Sequence, residues 1–193
     1  MQCGESRMLS TDLRAAEFLV TVNISQLAPD ASIGLYLLAS PGMEESASVG
    51  INSSSVYIDT RNSTQNTTQF EDSFRTVLTA PVPAASSVVA LHVYQDETVV
   101  EVFASDCVCS SAGLANCDCF SSHSKEAIVL TGLAFPTRAS ASRSGLLATC
   151  GASDSGATAS ASVWPLRAAP VSCKAPLCTP PSSTSITETE DRQ

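Results

Sequence analysis

The stretch Leu91–Phe103, LHVYQDETVVEVF, decides the fold. Two apolar arms flank a polar corner, read as Gln95-Asp96-Glu97. On the first arm Val89, Leu91 and Val93 share one parity. On the second, Val100 and Val102 lie on one face and Val99, Glu101 and Phe103 on the other, the period of two that a strand requires. A lone two-stranded hairpin is marginal in water, so this one needs more sheet around it. Ile128–Pro136, IVLTGLAFP, has the same enrichment in β-branched and aromatic residues and is expected to offer a partner sheet.

Upstream of the hairpin, Ala15–Ile24 alternates as a strand, with Phe18, Val20 and Val22 on one side and Leu19 and Thr21 on the other. Pro29-Asp30 marks a turn, and Ile33–Ala39, IGLYLLA, is a buried-strand run ended by Ser40-Pro41-Gly42. Met43–Ser55 is polar and small, a hairpin loop or a weak strand around Val49-Gly50-Ile51, and Val56–Asp59 returns to strand. Arg61–Asp72 is too polar to bury and reads as an exposed loop. Phe74–Ala80 is a further strand, closed by Pro81-Val82-Pro83, whose prolines keep it from the centre of a sheet. Downstream come an insertion at 106–125 and two last strands, Gly145–Cys150 and Thr158–Leu166. The second of these alternates Ala159, Ala161 and Val163 against Ser160, Ser162 and Trp164. Eight to ten short strands with turn residues between them and no amphipathic helix imply an all-β fold: a two-sheet antiparallel sandwich of jelly-roll or concanavalin-like type. The expected organisation is an extension or interdomain linker over 1–14, the sandwich over 15–168, and a Pro/Ser/Thr-rich, disordered and O-glycosylated tail over 169–193.

A sandwich of about 150 residues buries roughly 70% of its unfolded surface, enough for one ordinary core. Lys plus Arg total 10 against 19 Asp plus Glu, a net charge of −9, which lacks the basic footprint of a nucleic-acid binder. No run reaches the roughly eighteen apolar residues that span a bilayer, and the opening MQCGESRMLS has no signal-peptide core. Yet four N-glycosylation sequons begin at Asn23, Asn52, Asn62 and Asn66, and the cysteines number eight, an even count; both features favour an oxidising, secretory setting. The expectation is therefore an extracellular or vacuolar protein in which Met1 is an internal residue of a longer precursor.

Several ordered landmarks carry a family resemblance: Asp96; Val99-Val100-Glu101-Val102-Phe103; Val129-Leu130-Thr131; Phe135-Pro136-Thr137; and Val163-Trp164-Pro165-Leu166. Together they resemble the carboxy-terminal β-sandwich of glycoside hydrolase family 32, the invertases and fructan hydrolases. Asp59-Thr60-Arg61-Asn62-Ser63 is similar to that domain's Asp-x-Arg-x-Ser segment. The resemblance covers about Ala15 to Leu166. It implies a module that packs on a five-bladed catalytic propeller, stabilises it, and in some members mediates dimerisation or contacts longer substrates. The family's catalytic carboxylates sit in the propeller, within Asn-Asp-Pro, Arg-Asp-Pro and Glu-Cys motifs that are absent here. The parent enzyme would hydrolyse sucrose or fructan, and this chain would not. Two other readings stay open: a free-standing secreted carbohydrate-binding module, taking fructan or another glycan, and a disulfide-stapled surface protein.

Individual residues are weighed against the same background. Asp96 and Glu101 look like a glycosidase's paired carboxylates, but the resemblance assigns them structural work: Asp96 shaping the hairpin, and Glu101 pairing with a cation at a sheet or domain boundary. Asp59 and Arg61 stand two apart on one strand face, placed for an ion pair or for sugar hydroxyls. Phe103 packs; Trp164 packs in the core or against a neighbouring domain, or offers a sugar platform; His92 is structural. Cys107-x-Cys109 and Cys117-x-Cys119 could hold zinc as four thiolates, but one intervening residue constrains both sulfurs, and an oxidising compartment favours disulfides. Cys173 and Cys178 would clip the domain's end, while Cys3 and Cys150 have no evident partners; connectivity is not readable from sequence. No Ser-His-Asp set, phosphate-cradling Gly loop or His-rich motif calls for a catalytic role, a cofactor or a metal.

Overall fold

The computed structural model describes residues 6–10, 14–65, 75–82, 87–109, 117–119, 127–136, 143–149 and 159–165. Along them run thirteen strands: β1 Ser6–Ser10, β2 Ala15–Asn23, β3 Ser32–Ala39, β4 Ala47–Asn52, β5 Ser55–Asp59, β6 Val77–Pro81, β7 Val88–Asp96, β8 Val99–Asp106, β9 Val108–Cys109, β10 Cys117–Asp118, β11 Ala127–Leu133, β12 Arg143–Thr149 and β13 Ala159–Pro165. A single 3₁₀ turn, Ile24–Gln26, follows β2, and the described residues contain no α-helix. The strands form a six-stranded antiparallel sheet, β1-β12-β3-β4-β5-β6, a five-stranded one, β11-β8-β7-β2-β13, and a short β9-β10 ladder. The expected all-β sandwich is the fold.

The alternation in the sequence is why the two large sheets face each other. Phe18, Val20 and Val22 on β2, Leu91 and Val93 on β7, and Val100, Val102 and Ala104 on β8 all point inward and are 0% exposed. Against them lie Leu35 and Leu37 on β3, Val49 and Ile51 on β4, and Val56 and Ile58 on β5, in one continuous core. Each such side chain contributes about 1.5–3 kcal/mol through burial. Leu37 and Leu38 both reach this core although they are adjacent. Leu38 adopts φ 51 where the β3–β12 pairing slips register, and that bulge turns it inward.

Three local readings change in the structure and a fourth is decided. The corner of the central hairpin is Glu97-Thr98, because Asp96 pairs with Val99 and Glu97 takes the left-handed φ of 48. Gln95 is not a turn residue at all. It faces inward on β7, fully buried, donating from Nε2 to the Arg14 carbonyl at 3.1 Å and accepting from Ser144 Oγ at 3.3 Å. The segment 127–133 does not found the opposing sheet; β11 pairs with β8 and extends the hairpin's own sheet, crossing over β5 and β6 at its inner face. Of the two readings of 43–55, the strand around Val49-Gly50-Ile51 is the one the structure has, and it is a full strand, since Ala47, Val49 and Ile51 are buried under its small outward residues.

The polar stretch after Arg61 is also only partly a surface loop. Ser63 and Thr64 are buried, the Gln65 amide donates to Glu45 Oε1 at 2.9 Å, and the Ser46 amide donates to the Asn62 carbonyl at 2.8 Å. A buried glutamate thereby satisfies backbone that apolar residues could not. β1, within the segment read as an extension or linker, pairs with β12 at the sheet edge. The tail 169–193 lies outside the described residues.

Candidate functional site

The outward face of the five-stranded sheet brings some of the landmark residues together. By register, Trp164, Glu17, Tyr94, Glu101 and Thr131 form one cross-strand row over all five strands, and Leu19, His92, Phe103 and Val129 form the next. Neighbouring side chains in such rows are close enough to interact. His92 Nε2 contacts Glu17 Oε1, the His92 ring lies 4.5 Å from the Tyr94 ring, and Tyr94 meets Phe103 edge to face at 5.8 Å. Burial, and then the negative charge of Glu17, push the Tyr94 phenol above its usual range, so it remains a neutral donor. Val129 at 54% and Leu133 at 37% exposure extend the patch along β11.

The opposite face, on the six-stranded sheet, is polar. Asp59 on β5 receives Arg61 Nε at 3.0 Å and Nη2 at 2.6 Å, and also the Arg61 backbone amide at 3.0 Å. Burial alone would raise the Asp59 carboxyl; the Arg61 side-chain and backbone hydrogen bonds and its charge outweigh this and hold it below the ordinary value of 3.8. A depressed carboxylate contributes stability above 3.8 that is lost as pH falls through its folded value. With Arg61 fully exposed the pair is solvent-screened and worth little. Arg61→Ala is therefore expected to leave the thermal midpoint at pH 7 almost unchanged while the Asp59 carboxyl titrates at higher pH, read by carboxyl NMR titration; an unchanged titration would show that Arg61 does not set it.

Residues 3–113 match the protein family described as glycosyl hydrolases family 32 C terminal. The chain belongs to that family. Among solved structures, the family 32 module resembles an exo-inulinase from Aspergillus awamori (20% identity, TM-score 0.59, 83% of this chain and 27% of that one). It also resembles an Aspergillus kawachii β-fructofuranosidase complexed with glycerol (14% identity, TM-score 0.55, 88% and 28%). At these identities the likeness is one of fold. The module spans little more than a quarter of the length of either structure. No curated protein matches the chain.

Within the family 32 module the sequence-predicted site residues divide between the two faces. Glu101 and Phe103 share the five-stranded face, with Trp164 opposite Glu17 by backbone register; Asp96 sits at the exposed end of β7 opposite Val99. Glu101 stands opposite Tyr94, not Asp96, so the two carboxylates are not cross-strand partners, and among the described residues no cation pairs with Glu101. Glu17 and Tyr94 were missed. The available signal was parity: Glu17 shares the outward register of Leu19 on a strand whose other side is wholly apolar.

The four clustered cysteines are disulfides, Cys107–Cys119 and Cys109–Cys117, so no thiolate remains there for zinc. Cys109 stands directly opposite Cys117 in the β9-β10 ladder, so both bridges clasp one hairpin at the end of β8. Among the described residues no group of three or more His, Cys, Asp or Glu could hold a metal. Cys3, Cys150, Cys173, Cys178 and Asn66 lie outside the described residues. Asn23, Asn52 and Asn62 are described: Asn23 ends β2, Asn52 ends β4, and Asn62 is exposed after β5.

Proposed function

We propose that this chain is the accessory, non-catalytic β-sandwich of a secreted or vacuolar β-fructofuranosidase-type hydrolase, seated on its catalytic propeller through the outward face of the five-stranded sheet. Cleavage of sucrose or fructan belongs to the propeller. The observation that supports this reading is the joined patch of Leu19, Phe103, Val129 and Leu133 with His92 and Tyr94. The sandwich core is complete without it, and contiguous apolar surface across several strands is the mark of a covered face. Glu17 and Glu101 within the patch give a partner's cations a defined register. The disulfides and sequons support passage through an oxidising compartment.

The test has two arms. Mass spectrometry of the native polypeptide, captured by antibody to this domain, should find peptides of a propeller with Asn-Asp-Pro, Arg-Asp-Pro and Glu-Cys motifs joined upstream. A polypeptide with no propeller attached or bound overturns the reading. Val129→Asp should lower the thermal midpoint of the full polypeptide by the equivalent of about 1–3 kcal/mol, the value of one buried aliphatic side chain, while leaving the isolated chain nearly unaffected. Equal effects on both would place the docking face elsewhere.

A further inference from the structure

The polar face of the six-stranded sheet contains a trough that the docking reading leaves unused. Two adjoining cavities of about 440 and 370 Å³ share Ser48, Asp59 and Arg61. The first runs over Tyr57 to Asn52, and the second ends at Asn62. Its floor follows from the sequence. Gly34 and Gly50 stand opposite each other on β3 and β4, and Tyr57 is the cross-strand partner of Gly50. A Cβ on Gly50 would lie 2.5 Å from Tyr57 Oη and 2.6 Å from Cζ, so the ring lies down over the glycine, anchored by its hydroxyl to Ser32 Oγ at 3.1 Å. Covering a sheet glycine with a cross-strand aromatic is a known stabilising device. It also turns the ring's other face outward as a flat π surface among hydroxyl, amide and carboxylate groups, the lining a sugar's C–H face and hydroxyls fit.

Asn52 stands at the rim of this trough in a defined orientation. Its Oδ1 accepts from Ser54 N at 2.9 Å, Ser54 Oγ at 3.0 Å, Ser55 N at 2.7 Å and Ser55 Oγ at 3.1 Å. Four donors on one atom settle which end of the amide is the carbonyl. Among the described residues Nδ2 makes no hydrogen bond, and Asn52 lines the first cavity. Asn52-Ser53-Ser54 is a sequon, and attaching a sugar replaces one Nδ2 hydrogen while leaving Oδ1 free to hold the turn.

We propose that Asn52 carries an N-linked glycan whose first N-acetylglucosamine lies in this trough, stacked on Tyr57. In the transfer, C1 of the sugar breaks its bond to the pyrophosphate of a lipid-linked oligosaccharide, which leaves with the electron pair, and forms a bond to Nδ2, which loses a proton. The occupant is the chain's own glycan rather than a free one because the trough offers one ring. A single stacking contact gives only a weak site for a free sugar, whereas a short tether supplies an effective concentration in the millimolar range. Asn62, at the other end, opens on the second cavity. Sugars here would occupy the six-stranded face and leave the five-stranded face free for the propeller. The inference rests on the secretory part of the proposed function.

The deciding experiment is site-resolved glycopeptide mapping of the native polypeptide, with enzymatic deglycosylation in heavy-oxygen water to mark each occupied asparagine. Asn52 should be occupied. Asn52 bare while another sequon is occupied overturns this proposal alone; all four bare overturns it together with the secretory reading. The second arm compares thermal midpoints before and after deglycosylation of the chain secreted from a eukaryotic host. Wild type and Tyr57→Phe should lose about 2–4 °C on sugar removal, and Tyr57→Ala should lose almost nothing. Ser54→Ala, which deletes the sequon at Asn52, should lose less than wild type on sugar removal. An equal loss in Tyr57→Ala and wild type, or free inulin or chitobiose bound as tightly by Ser54→Ala as a folded lectin would bind it, overturns the tethered glycan as occupant.

Discussion

Gly34→Ala is expected to leave little folded protein. Gly34 sits on β3, between Leu147 of β12 and Gly50 of β4, with a hydrogen-bonded neighbour on either side. A Cβ there would overlap the Val49 carbonyl oxygen and lie 2.5 Å from Gly50 Cα. Both atoms are backbone, so no rotamer change relieves the collision and the β3–β4 pair must part. Inserted atoms in a packed site commonly cost about 1–3 kcal/mol, and one that separates a central strand pair should cost about 3 kcal/mol or more out of a domain's typical 5–15. Gly50→Ala is the control, because the three atoms nearest its added Cβ all belong to the Tyr57 side chain, which can swing away. Urea unfolding of the two variants should rank them clearly; equal losses would mean that β3 and β4 do not approach as closely as the structure has them.

The second large effect is expected at Gln95. Its side chain spans the sandwich, tying β7 to Ser144 of the other sheet and to the Arg14 carbonyl. Gln95→Ala removes both bonds, strips the fully buried Ser144 hydroxyl of its acceptor, and opens a void where the side chain filled the core edge. The hydrogen-bond and cavity costs together come to about 2–4 kcal/mol. Ser144→Ala should cost less, since it leaves the Arg14 contact and creates little space. A double-mutant cycle on Gln95→Ala and Ser144→Ala should return a coupling of about 0.5–2 kcal/mol. Additive losses would show that the 3.3 Å contact carries no stability.

Gln95 also marks the limit of what the sequence makes legible. The parities of Phe18-Val20-Val22 and of Leu91 and Val93 point where the structure has them, because apolar burial is written directly into a period of two. A glutamine inside such a run reads as the start of a turn, since its partners, Arg14 and Ser144, lie far away in the chain. β4 reads only as a loop or a weak strand for a related reason: its outward residues are small so that Tyr57 can lie on them, and nothing local announces that ring. Burial of Ser63 and Thr64 likewise depends on Glu45, some twenty residues earlier. The landmark residues were visible one by one, but the meeting of some of them on one face, with Glu17 and Tyr94 between them, needed the register of β13, β2, β7 and β8. β11 shows that composition identifies a strand without saying which sheet receives it.

Pro81 closes β6 at the rim of the six-stranded sheet, opposite Ser55. The next amide, Val82 N–H, is the one bonded inward to the Ser54 carbonyl at 2.9 Å, so by alternation the nitrogen of Pro81 is turned to the outside. A foreign strand arriving at that rim finds a donor missing where it needs one, which guards the sheet against growth into fibrils. β11, at the rim of the other sheet, has Val129 and Leu133 outward and no proline within it. Of these two borders the unguarded one lies beside the face assigned here to the propeller, so losing the propeller would expose the patch and that border together.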